Sequence, residues 1–194
     1  NKVLSAKMKN LQEQEKIDFA FWLKGYNFLE ETLNQKKPFK LFDIIGTKRS
    51  PEDVAKRARK AIGLDENKGV INDICGLIEN AGIKIFTFDQ NDKCGFGFCL
   101  NQNDGGPAIA VNISPNITPE RKIFTVAHEL GHILLHPGSF GSNNQIVDDE
   151  EKEADEFAGY FLMPDEEFKM KYKESFGMHP VNRILFVKRY FKVS

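Results

Sequence analysis

Apolar positions recur at steps of three and four along the first part of the chain: Leu4, Met8 and Leu11, then Phe19, Trp22, Tyr26, Leu29 and Leu33 on a charged background. This period predicts an amphipathic helix, or two, over residues 3–34, ending before Pro38. Its aromatic stripe is expected to face a core or a partner. Ser50-Pro51-Glu52-Asp53 offers a capping hydroxyl, a proline at the first helical position and acids at the positive end of the dipole, so a helix is predicted from there. Lys56, Arg57, Arg59 and Lys60 are expected on its solvated face. Another helix is predicted over about 70–80, closed by Ala81-Gly82.

Between 83 and 113 the period becomes that of strands. Ile83, Ile85 and Phe88, then Phe96, Phe98 and Leu100, then Ile109, Val111 and Ile113 form three β-rich runs separated by turn clusters at 89–92 and 101–107. They predict a small antiparallel three-stranded meander. Its last run, Ile109 to Ile113, is expected to be an exposed edge that an extended peptide could join. Thr118-Pro119-Glu120 then opens a helix predicted to reach about His136 and to close at Pro137-Gly138. A polar loop, 139–145, leads to a helix over about 148–162, stopped by Met163-Pro164, and two shorter helical patterns follow. The chain has no internal repeats. Helices, then a β meander, then helices make an α+β fold, with residues 1–50 as an N-terminal helical extension and 51–194 as the main domain.

Composition narrows the function classes. With 194 residues and 41% apolar content the chain can build one sizeable core and a smaller appendage. A net charge of −1 gives no argument for nucleic acid, and direct nucleic-acid binding by this chain, through the basic stretch Lys48–Lys60, is not expected. The charge is uneven: residues 1–69 hold 15 of the 27 Lys/Arg and 10 of the 28 Asp/Glu, so the remainder is acidic. The three cysteines, Cys75, Cys94 and Cys99, form no CxxC pair and are odd in number, which reads as structural thiols in a reducing, cytoplasmic compartment. No apolar run approaches the roughly 18 residues that span a bilayer, and no signal peptide is visible. The start at Asn1 and the stop at Ser194 read as trimmed ends.

The chemistry concentrates at His128-Glu129-Leu130-Gly131-His132, an HExxH sequence inside a predicted helix. Four residues cover about 400° of turn, so both imidazoles leave one face within reach of one ion. Ile123, Ala127, Leu130 and Leu134 form the apolar face, and Glu129, about 100° round from His128, can flank the ion without binding it. That is the place of a general base. A catalytic zinc takes three protein donors and leaves a fourth position open, so a third is expected from the acidic helix at 148–162. Glu150 and Glu151 project within or beside its apolar stripe of Ala154, Phe157, Ala158, Phe161 and Leu162; Glu151 is preferred, because Asp155 follows on the same face and can accept a hydrogen bond from a ligating imidazole. Glu150 and Glu153 remain the alternatives. His136, roughly 12 Å from His128 along the axis, is excluded as a third ligand and reads as an end-of-helix residue favoured by the dipole. His179, Tyr160 and Tyr172 are candidate oxyanion stabilisers, with plain packing as the preferred reading of each.

The run Thr125 to His136, followed by Glu151-Lys152-Glu153-Ala154-Asp155-Glu156-Phe157-Ala158 and Leu162-Met163-Pro164, resembles the ImmA/IrrE family of bacterial metallopeptidases over about 70–165. The resemblance implies a zincin-like fold and a zinc held by His128, His132 and Glu151, with Glu129 as base. It also implies a protein substrate, a repressor or antitoxin in a regulatory circuit, and often a helix-turn-helix domain beside or fused to the peptidase, here before Asn1. Zinc suits two imidazoles and a carboxylate; manganese or iron are alternatives. The expected activity is a zinc-dependent endopeptidase. The rival reading is a non-catalytic zinc protein that regulates by binding its partner.

Overall fold

The computed structural model describes residues 13–90, 97–101, 105–137 and 148–193. Leu4, Met8, Leu11, Cys94, Phe96 and the polar loop expected at 139–145 lie outside these residues. The described chain runs α1 (Glu13–Thr32), α2 (Pro51–Ala61), α3 (Ile74–Asn80), β1 (Lys84–Phe88), β2 (Gly97–Leu100), β3 (Ala108–Asn112), α4 (Pro119–Leu135), α5 (Asp148–Leu162), α6 (Asp165–Glu174) and α7 (Pro180–Phe191), an α+β fold. The helix starts follow the local chemistry. Ser50 and Thr118 each accept from the backbone N–H three residues on, with proline in the first turn, and Asp73 caps α3 in the same way.

The three strands do not form the expected antiparallel meander. Their order is β1-β3-β2: β3 is central, parallel to β1 and antiparallel to β2. The reason lies in β3 itself, Ala-Ile-Ala-Val-Asn, in which every residue is buried. A strand covered on both faces belongs in the middle of a sheet, and the connection from Asp89 to Phe96 is too long to dictate a tight hairpin. The expectation that Ile109 to Ile113 forms an exposed edge fails with the meander, and among the described residues β1 and β2 are the edges.

Alternation along the strands gives the sheet two different faces. Ile85, Cys99, Ile109 and Val111 join the main core with α2, α4 and α5, whereas Phe86, Phe88, Phe98, Leu100, Ala108 and Ala110 meet Phe19, Trp22 and Leu23 of α1. The aromatic stripe of α1 is therefore core-facing at its start, with Phe19 only 1% exposed, and leaves Leu29 and Leu33 in solvent. Asn27 Nδ2 donates to Gly105 O at 2.8 Å, and buried Lys84 of β1 pairs with Glu30 at 3.2 Å, which fastens α1 to the sheet.

Arg59 departs from its expected solvated face. It is 1% exposed, and its guanidinium donates to the carbonyls of Asp65, Phe161, Lys68 and Gly69 at 2.5–2.9 Å. Burial pulls its pKa down to about 10, which still leaves it charged at neutral pH. One planar fork thus ties the loop after α2 to the end of α5. Arg59→Met is expected to lower the unfolding free energy by about 1–3 kcal/mol in urea titrations, because it leaves the buried Phe161 carbonyl unsatisfied and unties the loop after α2.

Helix α4 packs closely on α5. A Cβ added at Gly131 would sit 3.0 Å from Phe157 Cδ1 and 3.2 Å from Ala154 Cα. Glycine therefore sets the separation of the two helices. Gly131→Val is expected to cost about 3 kcal/mol by the same measurement, as overpacking outweighs its better helix propensity; a neutral result would show that α4 and α5 can part without loss.

Candidate metal centre

The helix α4 delivers its histidines from a buried position. Residues Thr125 to Leu134 are all buried, with Val126, Ala127, Leu130, Ile133 and Leu134 in the main core. His128 and His132, one turn apart, leave the same side of the helix, and their Nε2 atoms stand 3.0 Å from each other. Glu151, in the first turn of α5, completes the group: its Oε2 is 3.3 Å from His128 Nε2 and its Oε1 is 3.3 Å from His132 Nε2. Its side chain is 39% exposed, so the cluster has an open side.

These spacings suit a metal. Around a tetrahedral ion with bonds of about 2.0–2.1 Å, neighbouring donor atoms are about 3.3 Å apart. His128 Nδ1 lies 2.7 Å from Asp155 Oδ1. The carboxylate accepts there, so the proton of a neutral His128 sits on Nδ1 and the lone pair on Nε2 faces the cluster. An imidazole lone pair and a carboxylate oxygen then point at the same small volume, an arrangement a cation stabilises. Among the described residues, His128, His132 and Glu151 form a group that could hold a metal ion.

The other expected residues fall into place around these three. Glu129 is buried at 2% exposure, and its Cγ would stand 3.5 Å from a Cβ added at Gly97 of β2. It therefore faces the edge strand rather than bulk solvent. Glu150 and Glu153, the alternative third donors, are outside the group; Glu153 instead reaches His136, Oε2 to Nε2 at 2.9 Å. His136 is not merely a residue at the end of the helix. It is 7% exposed, and its Nδ1 lies 3.1 Å from His132 Nδ1. Its spacing of four from His132 is the signal in the sequence that the two rings share one side of the helix.

The candidate oxyanion groups have other surroundings. Tyr172 stacks on Phe168 and lies under the Arg183 guanidinium at 4.0 Å, which is packing between α6 and α7. Tyr160 is exposed on α5, and His179 is exposed where α7 begins. Phe124 packs beside the His128 ring at 6.3 Å between centroids and forms an apolar border to the site.

Residues 78–194 match the family model of peptidase M78, described as the IrrE N-terminal-like domain. The matched span contains the whole sheet, α4 to α7 and all three members of the candidate metal group. It leaves out α1 and α2, although α1 covers one face of the sheet and α2 packs on α5. No curated protein matches the chain. The match covers more than half of the chain: this chain belongs to the peptidase M78 family of metallopeptidase-type hydrolases.

Proposed function

We propose that this chain is a zinc-dependent endopeptidase that cuts a protein substrate, a repressor or antitoxin-type regulator, in the cytoplasm. The observation that carries the catalytic part is the convergence of His128 Nε2, His132 Nε2 and a Glu151 oxygen beside a buried Glu129. The regulator substrate is supported by the resemblance of the HExxH and Glu151–Ala158 segments to ImmA/IrrE peptidases, and by family membership. The same resemblance supports a helix-turn-helix domain acting alongside, in cis before Asn1 or as a separate chain. The cytoplasmic assignment rests on the sparse cysteines; no described helix is long and apolar enough to cross a membrane. In this reading residues 51–194 form the peptidase domain, residues 1–50 are a helical extension, and its α1 covers the second face of the sheet.

His128, His132 and Glu151 would hold the metal, and Asp155 fixes His128 through the Nδ1 contact. When bound, the metal supplies Lewis-acid chemistry, acidifying water and polarising the scissile carbonyl. Glu129 takes the proton of the attacking water on its carboxylate and returns it to the departing amine nitrogen. Its burial keeps competing water away and holds the carboxylate in one place. The edge strand β2 lies against Glu129 through Gly97 and pairs, among the described residues, with β3 alone. An extended substrate segment would run along β2, not along the central β3.

Glu129→Gln keeps the shape of the side chain and removes its basicity, so metal content should stay at wild-type level while cleavage falls by at least about 100-fold. Co-expression with the neighbouring repressor-like protein reads this directly as loss of the cleaved product. Equal effects of wild type and variant on the partner, with no product from either, would favour the non-catalytic regulator. Treatment with a chelator is expected to abolish cleavage, and zinc to restore it; cleavage that survives complete metal removal would sink the metallopeptidase mechanism.

A further inference from the structure

A neutral imidazole has one N–H and one lone pair, so a histidine that offers Nε2 to a metal must carry its proton on Nδ1. His128 meets that condition through Asp155. The surroundings of His132 are different. Its Nδ1 faces another ring nitrogen, His136 Nδ1, at 3.1 Å, and one of the two must donate to the other. That contact alone does not fix the direction. The other end of His136 does: its Nε2 lies 2.9 Å from Glu153 Oε2. A carboxylate accepts, so a neutral His136 has its proton on Nε2 and its lone pair on Nδ1. His132 then donates from Nδ1, which leaves the Nε2 lone pair for the cluster with His128 and Glu151.

On the reading that this cluster holds a metal, we propose that His136 and Glu153 are positioning residues for His132, a two-link chain that sets which nitrogen of that ligand is free to bind. Neither touches the substrate or the ion. The local sequence explains the arrangement. Proline at 137 disfavours helical backbone at His136, which caps α4 with φ −120° and ψ 48° while its N–H still donates to His132 O. The end of the helix is held from two more sides: Gly46 N–H donates to Leu134 O at 2.8 Å, and Asn101 Nδ2 donates to Pro137 O at 2.8 Å. His136 is thereby kept folded back onto His132 in a buried position. Glu153 comes from α5, next to Ala154 at the Gly131 crossing, so the same helix contact that delivers Glu151 also delivers Glu153.

The side chain of Glu153 is 53% exposed, so replacing it leaves the core intact. The test uses the full chain as wild type, Glu153→Ala, Glu153→Gln, His136→Phe and, as the control lacking a donor, His132→Ala. Zinc affinity is measured by competition with a chromophoric chelator, and the His132 tautomer is read in the metal-free protein by nitrogen-15 NMR at a pH well above the ordinary imidazole range. Glu153→Ala and His136→Phe are expected to bind zinc about 10–100-fold more weakly and to lose the predominance of the Nδ1–H form at His132. Glu153→Gln retains a carbonyl acceptor and should stay near wild type in both readouts. Wild-type affinity or an unchanged His132 tautomer in Glu153→Ala overturns the proposal and leaves the metal site itself standing; should His136→Phe fail to fold, Glu153→Ala decides alone. If the wild type binds no more zinc than His132→Ala, the metal reading falls and this proposal falls with it.

Discussion

The site depends on how closely α4 and α5 approach. Each helix contributes only part of it: α4 has two imidazoles and a carboxylate, and α5 has three carboxylates on or near one face. They become a site when the helices cross with a small residue on each side, Gly131 against Ala154, and Phe157 laid over the glycine. At that separation Glu151 reaches both histidines at 3.3 Å. Displacement by even one methyl group would move the carboxylate by a large fraction of a metal–donor bond length of about 2 Å. The rest of the core holds this crossing in place. Phe157, Phe161, Ala158 and Leu162 bury the inner face of α5, the aromatic and leucine side chains contributing about 1.5–3 kcal/mol each. Arg59 then fastens the end of α5 to the loop after α2.

What was legible in the sequence follows from how local its cause is. The starts of α2 and α4 were readable because a cap and a proline act over three residues. The pair His128/His132 was readable because helical pitch fixes it. Glu151 was narrowed by the apolar stripe of α5, and Asp155 by its spacing of four from Glu151. The sheet order was not readable from alternation, since pairing between β1 and β3 depends on burial contributed by α1 and α4 on opposite faces. Even so, the absence of polar residues from Ala108 to Val111 hinted at a central strand. Arg59 was misplaced for a similar reason. A guanidinium on a charged helix reads as solvated until distant carbonyls, including Phe161 O, close around it.

His136 shows a different limit. Distance along the helix axis keeps it out of the group of His128, His132 and Glu151, but a histidine can serve a metal site without being a ligand. In the fold it is the neighbour of a candidate ligand, because the backbone leaves the helix before Pro137 and turns the ring back. Residues that orient a ligand carry no motif of their own in a single sequence. They are found by asking where each ring nitrogen of the ligands goes, which is a question of hydrogen-bond accounting.

That accounting gives α5 a role larger than that of a helix supplying one ligand. Its Asp155 faces His128, its Glu153 acts on His132 through His136, and its Glu151 joins the two imidazoles directly. Three carboxylates within five residues would repel one another on an isolated helix. Here they spread over three histidines, with Asp155 on the outer nitrogen of His128, Glu153 on His136 and Glu151 between His128 and His132. The first-turn position of Glu151 also places its charge at the favourable end of the helix dipole. The acidic start of α5 therefore reads as divided labour: one carboxylate would contribute a donor, and two would direct lone pairs toward the same point. Because those two carboxylates lie on the outside of the histidines, the donors can be arranged before any ion arrives, which reduces the ordering that binding must impose.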